Sequence, residues 1–134
     1  MTDKNAKTKG AGGIRRLVDA CRNSHAGFRH AVRNEAAIRE ELILLVILTP
    51  VSAFLHVSAT EHIMLVLSMM QVVLVEFLNS AIESAVDRVS LERHPLAGQA
   101  KDLGSAAVLI SLLMWAFTWG AIVGPLALHA IWRK

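Results

Sequence analysis

The chain has 134 residues, enough for one domain, and combines 54 % hydrophobic with 19 % charged residues at a mean hydropathy of +0.45. A soluble globule of this size cannot hide that much apolar side chain, so the composition excludes an ordinary aqueous domain and indicates a lipid solvent. Net charge is +3 with a pI near 9.5, and the single cysteine, Cys21, rules out an intrachain disulfide.

The charges are segregated. Between Leu42 and Val75 only Glu61 carries a formal charge, and between Gly104 and Ile131 nothing does. Nine of the 14 Lys and Arg residues precede residue 40. Such a basic arm suits nucleic acid or a membrane surface; beside long apolar runs it is read as membrane-facing, with no nucleic-acid partner. Met1 to Gly13 is polar and Gly-rich, lacks the apolar run of a signal peptide, and reads as a disordered lead-in.

From Ile14 to about His30, Ile14, Leu17, Val18, Cys21 and Phe28 recur at helical spacing against Arg15, Arg16, Asp19 and Arg22. This predicts an amphipathic helix lying in the headgroup plane, with a break or turn at Asn23–Gly27. Three spans are expected to follow. The first covers about residues 38–55 and contains Pro50, tolerated in a membrane helix, usually as a kink. After a polar connection, His56 to Thr60, the second covers about 62–89. Its wholly apolar part, Ile63 to Val75, is too short for a ~30 Å core, so its remaining half must carry polar residues. Ser90 to Gln99 reads as a loop. The third span covers about 104–131, interrupted by Gly120, Gly124 and Pro125, with Trp132 at the far interface. The Lys and Arg bias places the N-terminus and the loop containing Arg88, Arg93 and Lys101 in the cytoplasm, with Arg133 and Lys134 as the dissenting charges. The fold class is an all-α membrane protein: one surface helix, then three transmembrane helices in a single domain over residues 14–134.

The chemistry-bearing stretch is Glu76-Phe-Leu-Asn79-Ser80-Ala-Ile-Glu83-Ser-Ala-Val-Asp87-Arg88. Its polar residues fall at +3, +4, +7 and +11 from Glu76 and share one helix face. Glu76 and Glu83 are two turns, ~10 Å, apart. Ionisable groups at membrane depth face the bundle interior and mark a site. Asn34-Glu35, before the first span, and Lys101-Asp102, before the third, reach the same cytoplasmic depth. Carboxylates from two helices suit Mg²⁺, a nearby Lys can neutralise phosphate charge, and a carboxylate can take a hydroxyl proton. These parts fit phosphoryl transfer at the interface. Gly10-Ala-Gly-Gly13 is no P-loop, there is no protein-kinase motif set, and the six His residues and Cys21 lack metal spacing. A small proton-coupled transporter could also use an intramembrane Glu, but would not need Glu35 and Lys101-Asp102 gathered beside it. A structural adaptor would tolerate Glu76→Leu.

Glu76-Phe-Leu-Asn-Ser-Ala-Ile-Glu83, Val86-Asp-Arg88, Ala100-Lys-Asp-Leu-Gly-Ser-Ala-Ala-Val108 and Asn34-Glu-Ala-Ala-Ile-Arg39 closely resemble the prokaryotic diacylglycerol kinase family, from about Arg16 to Trp119. The resemblance implies a bacterial inner-membrane homotrimer that transfers the γ-phosphate of ATP, with Mg²⁺, to diacylglycerol, giving phosphatidic acid. It implies Glu76 as general base, Asn79 as a positioning residue, and Glu35 and Glu83 as the Mg²⁺ ligands holding the nucleotide. Lys101 and Asp102 match nucleotide contacts, and Arg16, Glu92 and His94 match weaker ones. Arg29, Glu41, Ser105 and Trp119 match positions around the lipid substrate. The sequence departs from the family's pattern at Glu40, Phe54, Ser90, Arg93 and Pro95. Relatives in the same superfamily phosphorylate undecaprenol, the alternative acceptor.

Overall fold

The computed structural model describes residues 12–89 and 94–132. Residues 1–11 of the expected lead-in and 90–93 of the expected loop lie outside them, as does Glu92. Among the described residues every regular element is a helix: α1 (Gly13–Asn34), α2 (Ala36–Ala53), α3 (Ala59–Val89) and α4 (Pro95–Trp132). The chain divides into two compact units, residues 1–34 and residues 35–134.

The first unit is α1. The turn expected at Asn23–Gly27 does not form; the helix runs through it. Asn, Ser and His are weak helix formers but keep their backbone N–H, and one Gly costs only about 1 kcal/mol, less than breaking a helix of 22 residues. Asp19 pairs with Arg22 one turn on, and the Asn34 amide donates to the His30 carbonyl at 2.8 Å, satisfying one of the last orphan acceptors. Ile14, Leu17, Val18 and Phe28 are exposed.

In the second unit, α3 packs against both α4 and α2. Each helix turns one stripe inward. In α3 it is Leu65, Ser68, Met69, Val72 and Glu76, all buried, continued by half-buried Asn79 and Glu83. In α4 it is Gly104, Val108, Ser111 and Trp115, and in α2 Ile38, Glu41, Leu45 and Ser52. The three-and-four spacing is the helical period. Ser52, Ser68 and Ser111 each donate to the carbonyl three residues back, at 2.7, 2.8 and 2.7 Å. They are small residues whose hydroxyls are satisfied within their own helix, which lets backbones approach closely in an apolar medium. Farther along, Trp119 Nε1 donates to the Leu65 carbonyl at 3.2 Å and ties α4 to α3.

α3 and α4 are long and apolar enough to cross a bilayer, over Ala59–Arg88 (30 residues) and Pro95–His129 (35 residues). Leu67, Met70, Leu74, Leu109, Leu113 and Phe117 stand exposed on their outer faces, the pattern of helices solvated by lipid. α2 is shorter, with 18 residues, and carries Arg39, Glu40 and Glu41 near its start. Its apolar stretch from Leu42 to Ala53 covers only ~18 Å.

Two sequence expectations are corrected at α4. The helix begins at Pro95, not near Gly104, so Pro95–Gln99 is helix rather than loop. Proline suits a first helical turn, where its missing N–H is not needed, and His94 caps the end: its Nδ1 accepts from Leu96 N at 3.2 Å. The helix also continues through Gly120, Gly124 and Pro125. Away from water, peptide groups have no partner better than their own helix. Pro50 is likewise accommodated inside α2, one turn before its end.

The polar connection before α3 holds a reciprocal cap. Ser58 N donates to Glu61 Oε2 at 2.7 Å while Glu61 N donates to Ser58 Oγ at 3.3 Å, the capping-box geometry. The one charge between Leu42 and Val75 is thus spent on starting a helix. Ser58→Ala is expected to lower the thermal unfolding midpoint in detergent by roughly 2–8 °C and to leave the total helix content nearly unchanged, because only the first turn of α3 depends on the cap. Circular dichroism recorded through a thermal scan of the same preparation checks both.

Candidate functional site

The site grows out of the inward stripe of α3. That stripe is apolar from Leu65 to Val72 and then turns acidic without leaving its face: Glu76, Asn79, Glu83. Glu76 is only 8 % exposed. Placing a carboxylate there requires walls from other helices, since an unshielded charge at membrane depth costs about 3 kcal/mol or more. α2 and α4 supply them. Glu35, in extended backbone at the N-cap of α2, Glu41 of α2 and Glu83 of α3 all lie close enough to Glu76 to interact with it electrostatically.

The next turn is held by Asn79. Its Nδ2 donates to Glu83 Oε1 at 3.3 Å, while its Oδ1 is shielded from solvent and has no partner. Gly104 of α4 sits directly on this side chain. A Cβ built there would overlap the Asn79 amide and come within 4.0 Å of the Asn79 Cα. Gly104 is therefore the seat into which Asn79 fits. Toward the end of α3, Lys101 Nζ of α4 pairs with Asp87 Oδ1 at 2.5 Å and interacts electrostatically with Glu83. Both partners of that pair are partly solvated, so the line runs from an enclosed acid at Glu76 to a wet ion pair at Asp87.

The structure thus gathers Glu35, Glu41, Glu76, Asn79, Glu83 and Lys101 in one region. It does not gather every expected residue. His94 is exposed and occupied as a helix cap. Asp102 and Ser105 are exposed on α4. Trp119 sits at the level of Leu65, ~16 Å along α3 from Glu76. Arg16 and Arg29 are exposed on α1, in the other unit. Two contributors were not assigned a role from sequence: Asp87 as the partner of Lys101 and Gly104 as the seat of Asn79. Asp87 was signalled by its place at the end of the polar line. No periodicity signals which glycine of a helix meets which side chain of another.

Carboxylate oxygens are the chemistry that could hold a hard divalent cation in this region. Among the described residues no three His, Cys, Asp or Glu side chains converge to hold an ion alone. Glu35, at the N-cap of α2, and Glu83, on α3, are the carboxylates that could hold one, each interacting electrostatically with Glu76. An ion with few protein ligands, completed by water and phosphate oxygens, is the coordination Mg²⁺ favours.

The family profile described as "Prokaryotic diacylglycerol kinase" matches residues 22–123. A diacylglycerol kinase of Pseudomonas aeruginosa is 47 % identical over 115 residues, covering 86 % of this chain and 94 % of the relative. One from Escherichia coli is 44 % identical over 107 residues (80 % of this chain, 88 % of the relative). One from Haemophilus influenzae is 41 % identical over 111 residues (83 % and 94 %). With the profile spanning most of the chain and relatives of this similarity aligned over nearly their full length, the chain belongs to the prokaryotic diacylglycerol kinase family.

Proposed function

We propose that the chain transfers the γ-phosphate of MgATP to the primary hydroxyl of diacylglycerol at the cytoplasmic face of the bacterial inner membrane, giving phosphatidic acid. The observation that carries the reading is the single acidic stripe of α3, buried at Glu76 and solvated at Asp87. One end can meet a molecule confined to lipid, the other a molecule confined to water.

Each residue then has a task. Glu76 accepts the proton of the attacking hydroxyl. Asn79, seated on Gly104, fixes the orientation of Glu83 through its amide. Glu35 and Glu83 hold the metal, which when bound offsets the charge of the phosphate oxygens. Lys101, positioned by Asp87, adds a cation beside the phosphates, where positive charge stabilises the transferring group. Asp102 and His94, with Arg16 and Glu92, are further nucleotide contacts, and Arg29, Glu41, Ser105 and Trp119 surround the lipid. α2 serves as the first of three spans, with the N-terminus cytoplasmic. The open side of the polar stripe, where Asn79 and Glu83 are only half-buried, supports assembly into a homotrimer, in which neighbouring copies complete its enclosure.

The acceptor is tested by offering purified protein radiolabelled ATP with diacylglycerol and undecaprenol side by side. Label is expected in phosphatidic acid; label in undecaprenyl phosphate alone moves the assignment to the alternative kinase, and lipid-independent turnover removes both. The division of labour is tested by two isosteres. Glu76→Gln should retain MgATP binding and lose about 10²–10⁴-fold in turnover, whereas Glu83→Gln should weaken the apparent affinity for Mg²⁺ or nucleotide. Near-normal turnover in Glu76→Gln excludes it as the base. For Gly104→Ala, the new methyl displaces a flexible amide rather than backbone. The thermal midpoint should therefore move by only a few degrees while turnover drops about tenfold, the scale of one hydrogen bond to a charged group. Equal losses in both would show that Gly104 serves packing alone.

A further inference from the structure

α1 runs unbroken through Asn23–Gly27, and that continuity sets its arginines in phase. At ~100° per residue, Arg15, Arg22, Arg29 and Arg33 fall within ~40° of one line along the helix. A turn at Asn23–Gly27 would have separated the first two from the last two. Ala26 lies on the same face between Arg22 and Arg29, and its neighbours three and four residues away include Arg22, Arg29 and His30. A short side chain ringed by long ones leaves an open groove, whose walls include Arg22, His25, Ala26, Arg29, His30 and Arg33, all exposed. The charge along it is one-sided. α1 carries five arginines against one acid, Asp19, and no acidic residue follows Asp19 in the helix. Asp19 pairs with one guanidinium nitrogen of Arg22 at 3.3 Å, yet the Arg22 side chain stays 78 % exposed.

Guanidinium and imidazole donors around a short floor complement a compact anion with several acceptor oxygens. A phosphate monoester offers three such oxygens and about −1.5 to −2 charges at neutral pH; a phosphodiester offers fewer oxygens and a single charge. The flank of the groove indicates where that phosphate comes from. Ile14, Leu17 and Phe28 are exposed and, with Cys21, form an apolar row about a third of a turn around the helix. With that row in the acyl layer, the groove opens at the level of the lipid phosphates. We propose that the groove over Ala26 is a binding site for the phosphate-monoester headgroup of a membrane lipid. On the proposed kinase reading this is the headgroup class that the reaction creates, so α1 binds product; the site itself does not rest on that reading.

The test uses the full chain in phosphatidylcholine nanodiscs, with an environment-sensitive fluorophore on Cys21, the sole cysteine, which is exposed next to Arg22. Phosphatidic acid is the monoester probe and phosphatidylglycerol the diester probe, compared at matched surface charge and without nucleotide. Half of the response to phosphatidic acid is expected at about tenfold lower content than for phosphatidylglycerol, the scale of one added hydrogen bond to a charged group. Ala26→Leu fills the floor, keeps every charge and suits a helix; it should erase the preference and leave the phosphatidylglycerol response in place. Ala26→Ser keeps the floor small and should retain the preference. Equal responses to the two lipids, a preference that survives Ala26→Leu, or one lost equally in Ala26→Ser overturns the site and leaves surface charge alone. A response that inorganic phosphate or a short RNA reproduces without anionic lipid overturns the lipid assignment. Because no turnover is read, a chain without lipid-dependent ATP consumption would defeat the kinase reading and leave this measurement standing.

Discussion

Everything in the second unit follows from one constraint: a carboxylate at the depth of Glu76 cannot face hydrocarbon. α3 reaches that depth with an apolar outer face, represented by Leu74 and Leu78, and an inner face that changes from Val72 to Glu76 within one turn. The inner face must therefore be covered by protein, and the covering helices must come close. Close approach explains the small residues at the contacts. Gly104 admits Asn79, and Ser52, Ser68 and Ser111 fold their hydroxyls back onto their own helices. Larger residues at these points would hold the helices apart and let lipid reach the acid.

The same stripe resolves a problem of phase. Diacylglycerol does not leave the bilayer and MgATP does not enter it, so the two can react only across a boundary. A helix that crosses the boundary with its polar residues on one face offers a graded path: buried acid, amide, half-buried acid, solvated ion pair. Helical geometry places these about one turn apart. In the proposed reaction, base and metal-holding carboxylate stand two turns apart on one rigid element, so their separation does not depend on a mobile loop. Asp87 has a comparable role at the wet end. A lysine on a flexible stem is a diffuse cation until something holds it, and Asp87 holds Lys101 beside Glu83.

Much of this was legible in the sequence because helical period is a strong signal. The offsets of Asn79, Ser80, Glu83 and Asp87 from Glu76 define one face without coordinates, and the absence of charge from Gly104 to Ile131 marks a lipid-solvated helix. Composition misled where tertiary or solvent context overrides it. Asn23–Gly27 has turn-forming residues yet stays helical, and Pro95 opens a helix where loop chemistry suggested a break. Gly120, Gly124 and Pro125 do not interrupt α4, because a peptide group withdrawn from water has nowhere else to bond. The capping box of Ser58 and Glu61 was visible as a Ser-x-x-Glu spacing, but read only as a polar connection. The Gly104–Asn79 fit had no linear signature, since it depends on which residues of separate helices share a level.

How buried polar groups are satisfied separates packing from chemistry in this bundle. The three buried serines find partners three residues away in their own helix, so they ask nothing of the rest of the molecule. The Asn79 oxygen, the Glu41 oxygen and the Trp115 N–H find none; Asn79 belongs to the acidic stripe, and Glu41 interacts electrostatically with Glu76. Trp119, built of the same indole, sits a turn farther along α4 and is fully matched by a backbone carbonyl. His62 Nδ1 is the one other unmatched atom of this kind among the described residues, and it lies in the first turn of α3, at the end remote from the stripe. If unmatched groups were mere packing error, they would be scattered along the helices. Two of them, on Asn79 and Glu41, instead flank Glu76, as a site shaped to receive polar atoms of another molecule would have them do.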